Sequence, residues 1–222
     1  MSEGERLAIF PLSNVVLFPR LSTPLHLFEP RYRQMAREVL EGDQRIGMVV
    51  VRPEHTDEMG GDPPVYPIGC AGTVTESQRL PTGQYDIVLR GEARFRIVEE
   101  EPREEPRLYR VARVVPLEDA YPESERERVA RLRSSIIENV GVLLRNTQPE
   151  RARGLGSEMF AGVDDETLVN LLSNALALPV EEKQSLLEAD SIPERYARLA
   201  GVLSFQRADL EVEDPSRGGP LH

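Results

Sequence analysis

The apolar pattern of this chain changes period near residue 120, and that change constrains the fold more than any other feature. Before it, apolar or alternating runs are short and bounded by Gly or Pro: Leu7 to Leu12, Val15 to Pro19, Arg45 to Val51, Ile68 to Thr75, Tyr85 to Leu89, Phe95 to Val98, and Tyr109 to Val115. Runs of this length, rich in Val and Ile, predict strands. Pro81-Thr82-Gly83 has turn chemistry and joins two of them as a hairpin. One helix interrupts the series. From Pro30 to Leu40 the residues Tyr32, Met35, Ala36, Val39 and Leu40 fall at helical spacing, with Pro30 suited to the first turn and Gly42 to the C-terminal cap. Many short strands with one crossing helix predict a small, mostly antiparallel barrel or pseudo-barrel. Pro53 to Val65 and Glu99 to Arg107 read as surface loops.

After Asp119 the period is helical. Ser124 with Glu127 forms a capping box, and Val129, Leu132, Ile136, Val140, Leu143 and Leu144 trace one apolar stripe. Asp164 or Asp165 caps a second helix that buries Leu168, Leu171, Leu172, Ala175 and Leu176 and stops before Pro179. A short helix spans Val180 to Glu188. Ser191, Pro193 and Glu194 open a last helix carrying Ile192, Tyr196, Leu199, Val202 and Leu203. The expected organisation is a barrel domain over 1–120, a helical bundle over 121–210, and a disordered tail over 211–222.

The residues available for chemistry are few. The single cysteine, Cys70, has no internal disulfide partner, and His26, His55 and His222 are scattered without metal-ligand spacing. Neither a structural metal nor a cofactor is expected. Lys183 is the sole lysine among 27 basic residues and sits in Glu181-Glu182-Lys183-Gln184, which excludes a Gly-Lys-Ser/Thr phosphate loop. A Ser-Lys dyad fares no better. Its lysine needs a depressed pKa, whereas two adjacent glutamates favour the charged form, and Ser185 lies on another helix face. Acidic residues number 38 and the net charge is −11, which repels nucleic acid unless the arginines gather on one face. The first residues do not resemble a secretory signal, and no run of about 18 apolar residues suggests a membrane span. The expected location is the cytoplasm.

Several segments resemble the substrate-binding domain of Lon proteases, the Lon N-terminal (LAN) family. They are Leu7-Ala8-Ile9-Phe10-Pro11-Leu12-Ser13-Asn14-Val15-Val16-Leu17-Phe18-Pro19, then Leu25-His26-Leu27-Phe28-Glu29-Pro30-Arg31-Tyr32-Arg33-Gln34-Met35. Gly69-Cys70-Ala71-Gly72-Thr73-Val74, Leu89 through Ile97, Glu181 through Glu188, and Arg195 through Leu203 follow in family order. The resemblance implies an α+β protein: a PUA-like β pseudo-barrel with one crossing helix, followed by a C-terminal helical bundle. It also implies substrate recognition without the ATPase and Ser-Lys peptidase domains of full Lon, because the chain ends before either begins. Cereblon carries a related domain in a ubiquitin-ligase receptor, so the module by itself does not entail proteolysis.

The expected function is therefore a non-catalytic protein- or peptide-recognition module for unfolded or apolar polypeptide segments, serving a protease or chaperone. Nucleic acid and membrane are not expected partners; RNA binding, which some PUA-like barrels perform, is the alternative. Phe18, Leu25, Phe28 and Tyr32, between prolines at 19, 24 and 30, are the expected lining of a peptide groove, with Glu29 and Arg31 beside them. Glu29 has two possible roles. Its carboxylate either accepts amide hydrogen bonds at the helix start or pairs with Arg31, Arg33 or Arg94.

Overall fold

A computed structural model describes residues 4–147 and 157–213. The fold is α+β, with six strands in one sheet and several helices. The strands are β1 (Glu5–Leu12), β2 (Ser22–Leu27), β3 (Arg45–Val50), β4 (Ile68–Arg79), β5 (Tyr85–Glu100) and β6 (Arg110–Leu117). The helices are α1 (Pro30–Glu41), α2 (Arg126–Thr147), α3 (Asp165–Ala175), α4 (Val180–Leu187) and α5 (Ile192–Glu213). α5 runs to Glu213, past the expected end of the helical part. The remainder of the expected tail lies outside the described residues.

β5 organises the sheet. It pairs antiparallel with β4 along most of its length, with β2 over Tyr85 to Arg90, and with β6 over Arg94 to Glu100. Since β4 pairs with β3, β3 with β1 in parallel, and β1 with β6, the order closes on itself through β5. Inside the ring Leu7, Ile9, Val49, Ala71, Phe95, Ala112 and Val114 are buried together. Each of the Val, Leu, Ile and Phe side chains among them contributes roughly 1.5–3 kcal/mol.

Three sequence expectations are corrected here. Val15 to Pro19 forms no strand, although Val16, Leu17, Phe18 and Pro19 are buried. Pro19 has no N–H to donate, and Arg20 turns the chain with φ 68, after which its amide bonds the Gly91 carbonyl at 2.8 Å. The strand comes later, as β2, and holds Pro24 because it pairs only with β5 among the described strands. Finally, the two short runs Tyr85–Leu89 and Phe95–Val98 are one strand, with bulges that keep the ladder going through the charged Arg90 to Arg94 stretch. Gly91 is required within it: a Cβ there would overlap the Phe18 carbonyl.

The chain divides into two compact units, Met1–Asp119 with Asn170–Glu188, and Ala120–Val169 with Ala189–His222. The first unit thus takes in a helical stretch from the far side of the sequence. Within it, Asn170 Nδ2 donates to the Pro19 carbonyl at 3.1 Å and Gln184 Nε2 to the Ile68 carbonyl at 2.9 Å. Arg94, only 2% exposed, makes a third tie. Its Nη1 donates to the Leu187 carbonyl at 2.9 Å, its Nη2 to the Glu118 carbonyl at 3.2 Å, and its Nε lies 2.9 Å from Asp119 Oδ1.

In the second unit α2 packs on α5. The apolar stripe Val129, Ile136, Val140 and Leu143 is buried, as are Ile192, Tyr196, Leu199 and Leu203. α2 is entered through a 3-10 turn, Glu123–Glu125, that absorbs the expected capping-box residue Ser124. Asp164 does cap α3, accepting the Thr167 amide at 3.0 Å, and Ser191 accepts the Glu194 amide at 3.3 Å.

Candidate functional site

The corner where β2 runs into α1 carries most of the residues singled out from the sequence. β2 lies in register with β5, Leu25 opposite Ile87, His26 opposite Asp86 and Leu27 opposite Tyr85. Phe28 follows, then Glu29 in an extended conformation (φ −67, ψ 142) before Pro30 starts the helix. Extended backbone at Glu29 is what a following proline favours.

The six expected groove residues do not share one surface. Phe18 is 0% exposed and Tyr32 5%, so both rings are core rather than groove. Tyr32 stands edge-on to Phe10, centroids 4.5 Å apart, and burial pushes its phenol up to about 12. Their apolar character is why they read as contact residues, and it is satisfied inside the fold. Phe28, by contrast, is 56% exposed, stacked on His26 at 5.9 Å. Leu25 is half-buried.

Glu29 makes no side-chain cap hydrogen bond at α1. Of its alternatives the pair with Arg31 is realised, Arg31 Nε donating to Glu29 Oε2 at 2.9 Å. Arg31 also donates to the Met59 and Gly61 carbonyls and lies over the Tyr32 ring at 4.6 Å. It therefore fastens the 53–65 loop to the start of α1. Arg33 instead donates to the Gly83 carbonyl at 2.8 Å, and Arg94 is the buried tie described above.

Two hollows are built on the β4–β5 hairpin. One, of about 510 Å3, is lined by Pro24, Leu25, His26 and Val88 with the acids Glu76 and Asp86. His26 Nδ1 lies 2.6 Å from Asp86 Oδ1. The other, of about 480 Å3, is lined by Pro30, Arg33, Arg37 and Arg79, with Tyr85 and Leu108. Successive residues of one hairpin divide between them: Gln78 and Asp86 line the first, Arg79 and Tyr85 the second. Sequence reasoning missed this second cluster. Arg33 and Arg37 at i,i+4 spacing on a helix were a readable signal. Arg79 was not, because its arrival depends on the hairpin register.

Elsewhere the cysteine, two of the histidines and the lysine have contacts within the fold. Cys70 is buried in β4 with its Sγ 3.5 Å from the Ala71 carbonyl, while His26 faces Asp86 and His55 Nδ1 lies 2.8 Å from Glu58. Lys183 Nζ donates to the Asn174 carbonyl at 2.7 Å. Its pKa is lowered by burial, which reverses the direction expected from the neighbouring glutamates. Among the described residues no group of three or more His, Cys, Asp or Glu is placed to hold a metal ion, and no helix is long and apolar enough to cross a membrane.

Residues 6–204 match the family described as the ATP-dependent protease La (LON) substrate-binding domain, and the chain belongs to that family. The Lon protease of Cytophaga hutchinsonii is 28% identical over 207 residues, covering 93% of this chain and 25% of that protein. The Lon protease of Brucella suis is 30% identical over 207 residues, covering 92% and 24%. The chain thus spans about a quarter of the length of the curated relatives it matches. Among solved structures, the N-terminal domain of Mycobacterium avium complex Lon protease superposes with a TM-score of 0.69 at 16% identity, covering 90% of this chain and 98% of that one. The Lon N-terminal domain protein from Xanthomonas campestris does so with a TM-score of 0.59 at 21% identity and the same coverage.

Proposed function

We propose that these residues form a non-catalytic recognition module that binds unfolded or apolar polypeptide segments and works in the cytoplasm beside a protease or chaperone. The observation that carries this reading is the family match over residues 6–204, since the family is a substrate-binding domain. The exposed edge of the sheet supports this reading. β2 is a short strand with one side open to a further strand among the described residues; it carries Leu25, and Phe28 directly follows it. An extended segment laid along β2 gains main-chain hydrogen bonds, while Phe28 and the apolar part of the neighbouring hollow take alternate side chains. We read the closed strand ring as a PUA-like pseudo-barrel and the second unit as a helical bundle. No peptidase or nucleotide role is assigned, because Lys183 is engaged with a backbone carbonyl rather than with a nucleophile or a phosphate loop.

Fluorescence anisotropy tests the reading with labelled lactalbumin, reduced and alkylated with iodoacetamide so that it stays unfolded. The chain should bind this form and not the native, disulfide-intact form, and excess single-stranded RNA should not compete. Equal binding of both forms, or displacement by RNA, overturns it.

A further inference from the structure

An acidic chain of net charge −11 keeps three arginines around one hollow, and no acid among the described residues lines it. Arg33 and Arg37 come from one face of α1, Arg79 from the end of β4. Arg33 is held by its Nε on the Gly83 carbonyl at 2.8 Å, and its terminal nitrogens have no hydrogen bond to a described residue. Gly83, at φ 80, is needed for that approach: a Cβ there would overlap the Arg33 guanidinium. Arg79 is exposed and has neither ion pair nor side-chain hydrogen bond among the described residues. Among the described residues Arg37 has one ion pair, with the exposed Glu38 at 3.7 Å. Beside these cations stand Pro106 and Leu108, the latter 48% exposed.

We propose that this hollow binds a carboxylate of the client polypeptide, with Arg33 and Arg79 as the recognising forks and Leu108 and Pro106 receiving an adjacent apolar side chain. Planar guanidiniums with free terminal nitrogens match a carboxylate bidentately. The hollow, at about 480 Å3, suits a side chain or a chain terminus. A nucleic acid strand presents many phosphates, and the surrounding net negative charge repels it. A single carboxylate on a mostly apolar segment meets the local field without that penalty. The inference rests on the polypeptide-recognition reading and adds a substrate class to it: apolar segments bearing an acidic group, set in register by Phe28 on one side and the arginines on the other.

The test uses the full chain and amidated twelve-residue peptides, fluorescein-labelled at the N terminus, in which two glutamates or two glutamines sit among leucines and serines. The Glu peptide should bind at least ~10-fold more tightly than the Gln peptide, the size expected of charge-assisted hydrogen bonds. Arg79→Gln and Arg33→Gln should each erase most of that difference. Arg90→Gln, at an exposed position of β5 outside the hollow, should alter neither. A Gln peptide with a free C-terminal carboxylate separates the two sources: recovered affinity assigns the hollow to chain termini, and its absence assigns it to acidic side chains. Equal Glu and Gln affinities, or a difference that survives both substitutions in variants with unchanged unfolding temperature, overturns the proposal. If unfolded lactalbumin still binds under that outcome, the recognition reading stands without the hollow. If neither peptide nor unfolded protein binds the wild-type chain, both fall.

Discussion

Arg94 donates a hydrogen bond at 2.9 Å to the main-chain carbonyl of Leu187, a residue 93 positions further along the chain. The same guanidinium faces Asp119, so one buried cation joins β5, the end of the first stretch of sheet, and the C-terminal end of α4. Removing one partner of a buried, hydrogen-bonded charge leaves the others uncompensated, at a cost of roughly 3–5 kcal/mol. Arg94→Leu should therefore lower stability by about that amount in urea denaturation, whereas Arg90→Leu, exposed on the same strand, should change it by roughly 0.5 kcal/mol or less. Equal effects would mean that the Arg94 contacts do not hold the unit together.

Residues 1–120 alone should unfold at lower urea than the whole chain. They lack Leu186 and Leu187, each 1% exposed, and the Gln184 and Asn170 bonds to the Ile68 and Pro19 carbonyls. The two leucines alone contribute roughly 1.5–3 kcal/mol each. Adding residues 170–188 as a separate peptide should restore part of the loss, and a fragment as stable as the full chain would contradict the division into units.

Alkaline pH should destabilise the fold over a defined window. The phenols of Tyr32 and Tyr109 are pushed up to about 12 by burial, helped in Tyr109 by its hydrogen bond to Glu38. Tyr121 is raised to about 12 by burial and by its hydrogen bond to Asp165. Their folded-state pKa values lie above the ordinary phenol value near 10. The folded state therefore holds more protons than the unfolded state between those limits, and stability falls as pH rises through them. Urea midpoints should be flat between about pH 7 and 9 and drop between about pH 10 and 12. Tyr109→Phe should shrink the drop.

Much of this architecture was legible in the sequence because period and burial agree there: β1, β3, β6, α1 and the stripes of α2 and α5 follow from spacing alone. The failures have distinct causes. Pro24 hid β2, since a proline in a strand is tolerated only where its missing N–H faces no partner. Gly91 and the charges around it split β5 on paper, while in the structure they serve the approach to Phe18 and the Arg94 tie. Phe18 and Tyr32 read as contact residues because an apolar residue beside prolines gives no indication of which side it faces. The arginine hollow needed the hairpin register, which brings Arg79 and Tyr85 into pairing and which no local pattern encodes.

Paired substitutions at Phe28 and Tyr32 decide whether the β2–α1 corner is, as proposed, a polypeptide-binding surface. Binding of unfolded, alkylated lactalbumin and the urea midpoint are measured for Phe28→Ala and Tyr32→Ala. Phe28→Ala should weaken binding several-fold with stability changed by roughly 0.5 kcal/mol or less, since the ring is 56% exposed. Tyr32→Ala should lose roughly 3 kcal/mol or more of stability while the folded fraction binds as wild type does. Unchanged affinity in Phe28→Ala, with the wild-type chain binding normally, would contradict the assignment of this corner as the recognition surface.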